Sequence, residues 1–484
     1  MYTYNEVVIS KKSGNKKVLS FKKYLVILLI ILSILFSGLI YFINVLPMEY
    51  FGVFVAVVVI IDLIVSLLLL SNGKVKNLIG GLFSLLLIVA IVFGINYSLN
   101  TMDFFKQFGF NEYKSENYNI IVLKTSNYKR IKDLNNKVIG HLDKSKYEGL
   151  EKAIDKLNKN ISFKSKSLND TSELLTRLEE KSIDAIILED AQLEILKEAN
   201  DDLYNSIRKL DAIKVEIKNE DIGKSVDVTN KPFNVYISGI DTYGSINKVS
   251  RSDVNILMSV NPIKKEILLT NIPRDYYVKL HTFKEYDKLT HAGIYGVNES
   301  IKTIEDLLDT KINYYIKVNF TSLVDIVDAL DGITVNSNYN FVSNDGYSYV
   351  KGANVLDGKK ALSFARERKS FKEGDRVRGE NQQLVLTSLI NKAMSPKIIT
   401  NYVDILKALK GKFITNISDD EITNLIKMQL NDGSSWNIKS ISVNGSDAMD
   451  YVYSYKKTKL YVMKPDEKTV LNAKNNIKRI LDEN

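Results

Sequence analysis

The residues able to do chemistry in this chain are carboxylates and guanidinium groups, and they fall in an ordered series. Asp241 closes the apolar run NVYISGID. Arg251 and Asp253 open RSDVNILMSV, and Arg274 and Asp275 close TNIPRD. Each run reads as a buried strand, so three successive strands carry Arg or Asp at their rims, where ligand groups of open α/β sheets gather. Further on, Arg366 and Arg368 end SFARER. Asp375, Arg376 and Arg378 stand in GDRVRGENQQ, with Gln382 and Gln383 one turn later. For any single arginine a solvated or salt-bridged surface place is the commoner role, but the whole series resists that assignment. Arginine forks bind phosphate oxygens through paired, charge-assisted hydrogen bonds. Several together repel unless carboxylates or a bound anion lie among them. Acidic residues beside phosphate suit Mg²⁺, which takes one or two carboxylates with phosphate oxygens and water. The pattern predicts a polyanion site with a place for Mg²⁺.

Composition narrows the alternatives. The chain has 484 residues and no Cys, which removes disulfide frameworks, thiolate metal sites and cysteine nucleophiles. Its three His (His141, His281, His291) are too few for a His-rich metal centre. Apolar residues make up 45%, the proportion of a globular protein. Neither a phosphate-loop motif nor a G-x-G-x-x-G motif is present.

The elements that must position the charged series read as strands at 233–240, 254–260, 266–272, 314–318, 333–335 and 436–442. Helical spacing covers 296–308, 321–330, 356–364, 381–393, 398–409, 419–430 and 466–481. Together they predict a layered α/β/α domain of about 250 residues, large enough for a full core. Before it, 118–123 and 183–188 read as strands. Tyr147–Leu157, Thr171–Glu180 and Ala191–Glu198 read as helices, the second opening after Asp170 as N-cap. This is a small α/β unit laid out like one lobe of a solute-binding domain. It shows no chemical constellation and is expected to be a spacer or docking module. Residues 219–232 are polar and charged, as a linker is.

Three apolar runs precede all of this: Tyr24–Val45, Tyr50–Leu70 (interrupted only by Asp62) and Leu78–Ile95. Each is near the length that crosses about 30 Å of hydrocarbon. Asp62 is expected to face the helix bundle. Six Lys precede the first run, the loop Leu46–Glu49 has no Lys or Arg, and Lys74 and Lys76 lie between the second and third runs. The positive-inside bias puts the N-terminus in the cytoplasm and everything after about residue 97 outside.

At this point the chain resembles the LytR-CpsA-Psr family of cell-wall glycopolymer transferases. The resemblance covers about 233–430 and rests on GID at 239–241, RSDVNILMSVNP at 251–262, IPRD at 272–275 and KLTHAG at 288–293. YIKVNF at 315–320, DGI at 331–333, LDGKKALSFARER at 356–368 and GDRVRGENQQ at 374–383 complete it. The family often has Arg-Gln-Gln where this chain has Asn381-Gln382-Gln383. The resemblance implies transfer of a glycopolymer, with one phosphate, from a polyprenyl pyrophosphate carrier to a peptidoglycan hydroxyl in capsule or teichoic acid assembly. It implies that Arg274, Arg366, Arg368, Arg378 and Gln382 hold the pyrophosphate. Asp241 and Asp253 would hold Mg²⁺ or orient the attacking hydroxyl, with Arg251 and Asp375 supporting them. The lipid tail needs apolar walls, for which 314–330 and 384–390 are candidates, although ordinary core is the commoner role of any one such residue.

The expected organisation is a basic cytoplasmic N-terminus (1–23), three transmembrane helices (24–96), an extracellular α/β accessory domain (105–220), a linker (221–232) and an extracellular three-layer α/β/α catalytic domain (233–484). Two other readings compete. One is a hydrolase with water as acceptor at the same site. The other is a non-enzymatic regulator or binder of anionic glycopolymer. A nucleic-acid partner is not expected. The charged domain lies outside the membrane, and residues 1–23, with six Lys against Glu6, already supply +5 of the net +9. A pure polyanion binder gains nothing from Asp241 and Asp253, whereas Mg²⁺ chemistry requires oxygen ligands.

Overall fold

Hydropathy decides the fold of the first hundred residues. In the computed structural model they form helices α1 (Tyr4–Ile43), α2 (Met48–Leu70) and α3 (Lys74–Gln107). Segments Phe21–Ile43, Met48–Leu70 and Lys74–Asn100 are long and apolar enough to cross a membrane. Leu29, Val65 and Ile91 pack between the helices, while Ile34, Leu63 and Leu86 remain exposed, as a lipid-facing surface requires. Asp62 is partly buried, and one of its carboxylate oxygens is closed off from solvent. The structure describes residues 4–43, 48–71, 73–107, 113–218, 223–243, 246, 250–395 and 411–482. The helix expected at 398–409 lies outside the described residues, as does part of the linker.

Two units divide the chain: 1–107 with 419–433, and 108–418 with 434–484. The second begins with the α/β accessory domain. It contains β1 (Tyr113–Leu123), β2 (Val138–Leu142), α4 (Glu148–Asn158), β3 (Lys164–Leu168), α5 (Thr171–Glu179), β4 (Ala185–Glu189), α6 (Asp190–Ala199), α7 (Asp201–Ser206) and β5 (Ile207–Lys218). The sheet order is β3-β2-β4-β1-β5 around a core that includes Ile120, Ile139, Leu174 and Ile186. Asp170 caps α5 as expected, its side chain accepting from the Glu173 amide at 2.9 Å. Strand β3 and, at the other edge of the sheet, strand β5 are additional to the strands read from the sequence. A register shift where β5 pairs with β1 at Ile120/Ile121 breaks its apolar alternation, which hides the strand.

The larger α/β domain follows the linker, whose Val226 amide bonds the Tyr314 hydroxyl at 2.9 Å. Its strands include β6 (Phe233–Ile240), β7 (Ser252–Asn261), β8 (Glu266–Asn271), β9 (Tyr277–Lys279) and β10 (Tyr286–Lys288), followed by α8 (Leu289–Ala292), α9 (Val297–Leu308), β11 (Tyr314–Asn319) and α10 (Phe320–Ala329). Next come β12 (Ile333–Ser337), β13 (Phe341–Val342), β14 (Ser348–Tyr349), β15 (Gly352–Leu356), α11 (Gly358–Arg366), α12 (Asp375–Ala393) and β16 (Ile414–Thr415). Helix α13 (Asp419–Asp432) belongs to the first unit. The chain closes with β17 (Asn437–Ser442), the hairpin β18 (Gly445–Val452) and β19 (Tyr455–Pro465), and α14 (Glu467–Leu481).

The main sheet runs β16-β11-β6-β7-β8-β17. Strand β6 is buried along its whole length, as a strand covered on both faces must be. Side chains alternate between the two faces. Tyr236, Leu257, Leu268 and Tyr315 pack with Ile301 and Ile304 of α9 and Ala473 and Ile477 of α14. Ile237, Ile256, Ile316 and Val318 point the other way, toward α10, α11 and α12. These are the three expected layers. Strand β17 extends the sheet parallel to β8, while the hairpin packs on the accessory domain. There Val452, Tyr455, Leu460 and Val462 join the accessory core, and the Lys456 amide bonds Ser172 Oγ at 2.9 Å.

Helices α10 and α11 approach at Gly358, where a Cβ would collide with the Val324 carbonyl oxygen and crowd its Cα. We expect Gly358→Ala to lower stability by about 1–3 kcal/mol, the usual cost of forcing extra volume into a packed contact. Denaturant unfolding of the detergent-solubilised chain, followed through its single tryptophan, Trp436, checks this.

Candidate functional site

Strand pairing brings the acidic pair together. Strand β6 ends at Ile240, which pairs with Ser252 at the start of antiparallel β7, so Asp241 and Asp253 share one rim of the sheet. Strand β8 runs antiparallel to β7 with Asn271 opposite Ile256, and the chain continues past it to Arg274. Arg274 Nη1 lies 3.0 Å from Asp253 Oδ2, and its Nε lies 3.3 Å from Asp275 and 3.5 Å from Asp375. Thr290 Oγ1 donates to the other Asp253 oxygen at 3.0 Å. Both oxygens of Asp253 are thus engaged. Asp241 is more open, with Arg366 Nη2 at 3.9 Å from its Oδ1.

The remaining cations come from α11 and α12. Arg366 is the last residue of α11, and its guanidinium lies 4.1 Å over the Phe320 ring at the start of α10. Helix α12 starts at Asp375, a turn and a half before the expected 381. Gly379 lets its second turn pack closely against β8. A Cβ there would collide with the Asn271 amide of β8. The early start places Arg378 and Gln382 one turn apart on one face. Asp375 accepts from Arg378 at 2.8 Å and also lies 3.9 Å from Arg368. One carboxylate therefore sits among three arginines.

Asp241, Asp253, Arg274, Arg366, Arg368, Arg378 and Gln382 line a single cavity of about 520 Å³. The rest of the lining is mostly apolar: it includes Ile316, Val318, Leu323 and Ile326 from β11 and α10, and Val385, Leu386 and Leu389 of α12. The stretches 314–330 and 384–390 therefore do supply cavity wall. The same face of α12 carries Arg378 and Gln382 at one end and these apolar residues at the other. Two expected residues are not part of the lining. Asp375 stands behind the arginines. Arg251 is paired with Glu198 and, at 3.9 Å, Glu194 of α6.

The two acids differ in character. Burial alone would raise the Asp253 pKa, but Arg274, with Arg251 and Arg378 nearby, holds it below the ordinary carboxylate value. Burial and the adjacent Asp253 charge push Asp241 upward, against Arg366, Arg251 and Arg378. Burial pushes the Arg378 guanidinium down. Asp375 opposes this, while Arg274 and Arg368 add repulsion. A bound anion would relieve that repulsion, and a divalent cation would relieve the repulsion between the two acids. Among the described residues no group of three or more His, Cys, Asp or Glu is arranged to hold a metal. Mg²⁺ sites that share phosphate oxygens need only one or two carboxylates, which this rim has.

Neighbours of the motif residues complete the shell. Lys288 is buried with its Nζ 3.1 Å from Asp275 and 2.9 Å from Glu198. Lys288 and Thr290 stand in KLTHAG, a matched stretch from which no role was read. Glu198 lies in another domain, and nothing local in the sequence marks it. Gln383 is buried and bonds the carbonyls of Leu269 and Ile441, tying α12 to the sheet. Asn381 is buried and donates to the Phe364 carbonyl, so that position holds the helix and does not face the cavity.

The chain is 38% identical over 211 residues to the polyisoprenyl-teichoic acid–peptidoglycan teichoic acid transferase TagU of Bacillus licheniformis, covering 42% of this chain and 68% of that protein. To the protein of the same name from Bacillus subtilis it is 38% identical over 201 residues, covering 41% of this chain and 65% of that one. The chain thus spans about two thirds of the length of these relatives. A crystal structure of B. subtilis TagV aligns with 52% of this chain and 98% of that one, at 28% identity and a TM-score of 0.45. The LytR_cpsA_psr family model matches residues 201–476, more than half of the sequence, and the chain belongs to that family.

Proposed function

We propose that the protein is a membrane-anchored phosphotransferase that moves a glycopolymer, with one phosphate, from a polyprenyl pyrophosphate carrier to a peptidoglycan hydroxyl. The observation that carries this reading is the two-part lining of one cavity: four arginines and two carboxylates, and, further along α12, apolar walls. A pyrophosphate joined to a long hydrocarbon needs both parts in that order. The names of the relatives, transferases from a polyisoprenyl-linked teichoic acid to peptidoglycan, support it.

In this reading Arg274, Arg366, Arg368 and Arg378, with Gln382, grip the pyrophosphate, and the prenyl chain lies between α10 and α12. Asp241 accepts the proton of the acceptor hydroxyl. It is the acid whose pKa is raised and whose oxygens are less engaged, whereas Asp253 is committed to Arg274 and Thr290. The acceptor oxygen bonds the glycan-side phosphorus, the P–O bond to the lipid-side phosphate breaks, and polyprenyl phosphate leaves. The arginines offset the charge that develops on the phosphoryl oxygens. The remaining lone pairs of Asp253, with pyrophosphate oxygens and water, would hold Mg²⁺, which would supply charge neutralisation on the phosphoryl oxygens and leave Asp241 free as the base.

The lysines before the first span and at Lys74 and Lys76 favour a cytoplasmic N-terminus, with the catalytic domain outside, where peptidoglycan lies. Tethering would raise the local concentration of enzyme around a lipid-borne substrate.

The test incubates the detergent-solubilised chain with a synthetic polyprenyl pyrophosphoryl sugar, peptidoglycan fragments and Mg²⁺. Polyprenyl phosphate release with sugar phosphate joined to the acceptor is expected, and it should stop on chelation. Release without joining would make the protein a hydrolase. Arg366→Ala and Arg368→Ala should each abolish transfer while the unfolding transition is kept; wild-type turnover in either would remove that residue from the site. The rate should also depend on pH. As the base, Asp241 works deprotonated, so kcat/KM should fall as pH drops through a pKa above the ordinary 3.8. Asp241→Asn should erase that acidic limb and cost roughly 10²–10⁴-fold in kcat.

A further inference from the structure

The accessory domain reaches the rim of the catalytic site through one carboxylate. Glu198 lies in the last turn of α6, and its two oxygens serve two different cations. Oε1 is 2.9 Å from Lys288 Nζ, and Oε2 pairs with Arg251 Nη1. Lys288 has a side chain only 3% exposed, and its other contact is Asp275 Oδ1 at 3.1 Å. Asp275 Oδ2 is 3.3 Å from Arg274 Nε, and Arg274 Nη1 is 3.0 Å from Asp253. An unbroken chain of ion pairs therefore runs Glu198, Lys288, Asp275, Arg274, Asp253. Arg251 sits on the same rim, two residues before Asp253, and its ion-pair partners among the described residues, Glu194 and Glu198, are on α6.

We propose that Glu198 is a positioning residue for the transfer reaction: the accessory domain supplies the carboxylate that fixes Lys288 and Arg251, and through them the Arg274–Asp253 pair on the cavity wall. The inference rests on the transferase reading. A buried ammonium that loses one of two carboxylates pulls harder on the other, and here the other is Asp275, the direct neighbour of Arg274. Burial works against ionisation of Glu198, but Lys288 and Arg251 outweigh it and hold its pKa at about 2. The link is therefore in place at every working pH. Docking alone does not need this arrangement, since the domains also meet through a shared core and the exposed Lys457–Glu179 pair at 2.7 Å.

The experiment uses the full chain in detergent with the lipid substrate, acceptor and Mg²⁺, and separately measures affinity for inorganic pyrophosphate. Glu198→Gln keeps shape and removes charge. It should lower kcat/KM about 10–100-fold, the usual effect of removing a supporting partner, and weaken pyrophosphate binding several-fold. Its effect should be smaller when Arg251 is already Ala, because the Glu198–Arg251 pair is then already gone and only the Glu198–Lys288 contact remains to be lost. Glu179→Gln, which breaks the other interdomain pair, should leave both measurements unchanged. The inference is overturned if Glu198→Gln matches wild type in both, if Glu179→Gln loses as much, or if the Glu198 and Arg251 effects simply multiply. If the wild type does not turn over the lipid substrate, the transferase reading falls, and pyrophosphate affinity alone then decides whether Glu198 organises the rim.

Discussion

Like-charged guanidinium groups repel, and the architecture of the catalytic rim follows from having to hold four of them around one space. Carboxylates interleaved among them do this. Asp375 stands among Arg274, Arg368 and Arg378, and Arg274 is itself divided among Asp253, Asp275 and Asp375. Each acid comes from a different turn or strand end, so the charge balance is correct only when the sheet and α12 are in register. The site is therefore a product of the tertiary fold, and no single segment could hold it.

The rest of the catalytic domain makes one cavity serve two solvents. Strand alternation sends Tyr236 and Leu257 into the core and Ile237 and Ile256 toward the cavity. Helix α12 repeats the division along its length, charged at its first turns and apolar further on. A headgroup and a hydrocarbon tail would then be sorted by position along one helix.

Much of this was legible in the sequence. Strand rims ending in Asp or Arg, and the order of the motifs, located seven residues that line the cavity and the three-layer fold around it. The misses have physical causes. The helical reading began at 381, beyond a stretch with a glycine and four charges, whereas α12 already runs through it with Gly379 packed closely against Asn271. A bulge disguised β5. Arg251 was expected to support the acidic pair, but the carboxylates that hold it, Glu194 and Glu198, lie in a domain that carries no motif. Ion pairs across domains leave no local pattern, so Glu198 was invisible until the fold brought it to Lys288.

The C-terminal hairpin has a consequence for how this protein comes into being. Strand β17 must find β8 across a separation of 171 residues, and β18–β19 then lays Val452, Tyr455, Leu460 and Val462 into a core begun by residues more than 300 positions earlier. Such distant pairings form slowly, because loop closure costs entropy before the contacts reward it. Neither domain can finish its interior until the last sixty or so residues have been synthesised. Both would wait, partly open, for the same short ribbon, and a chain cut short before it would leave two cores exposed.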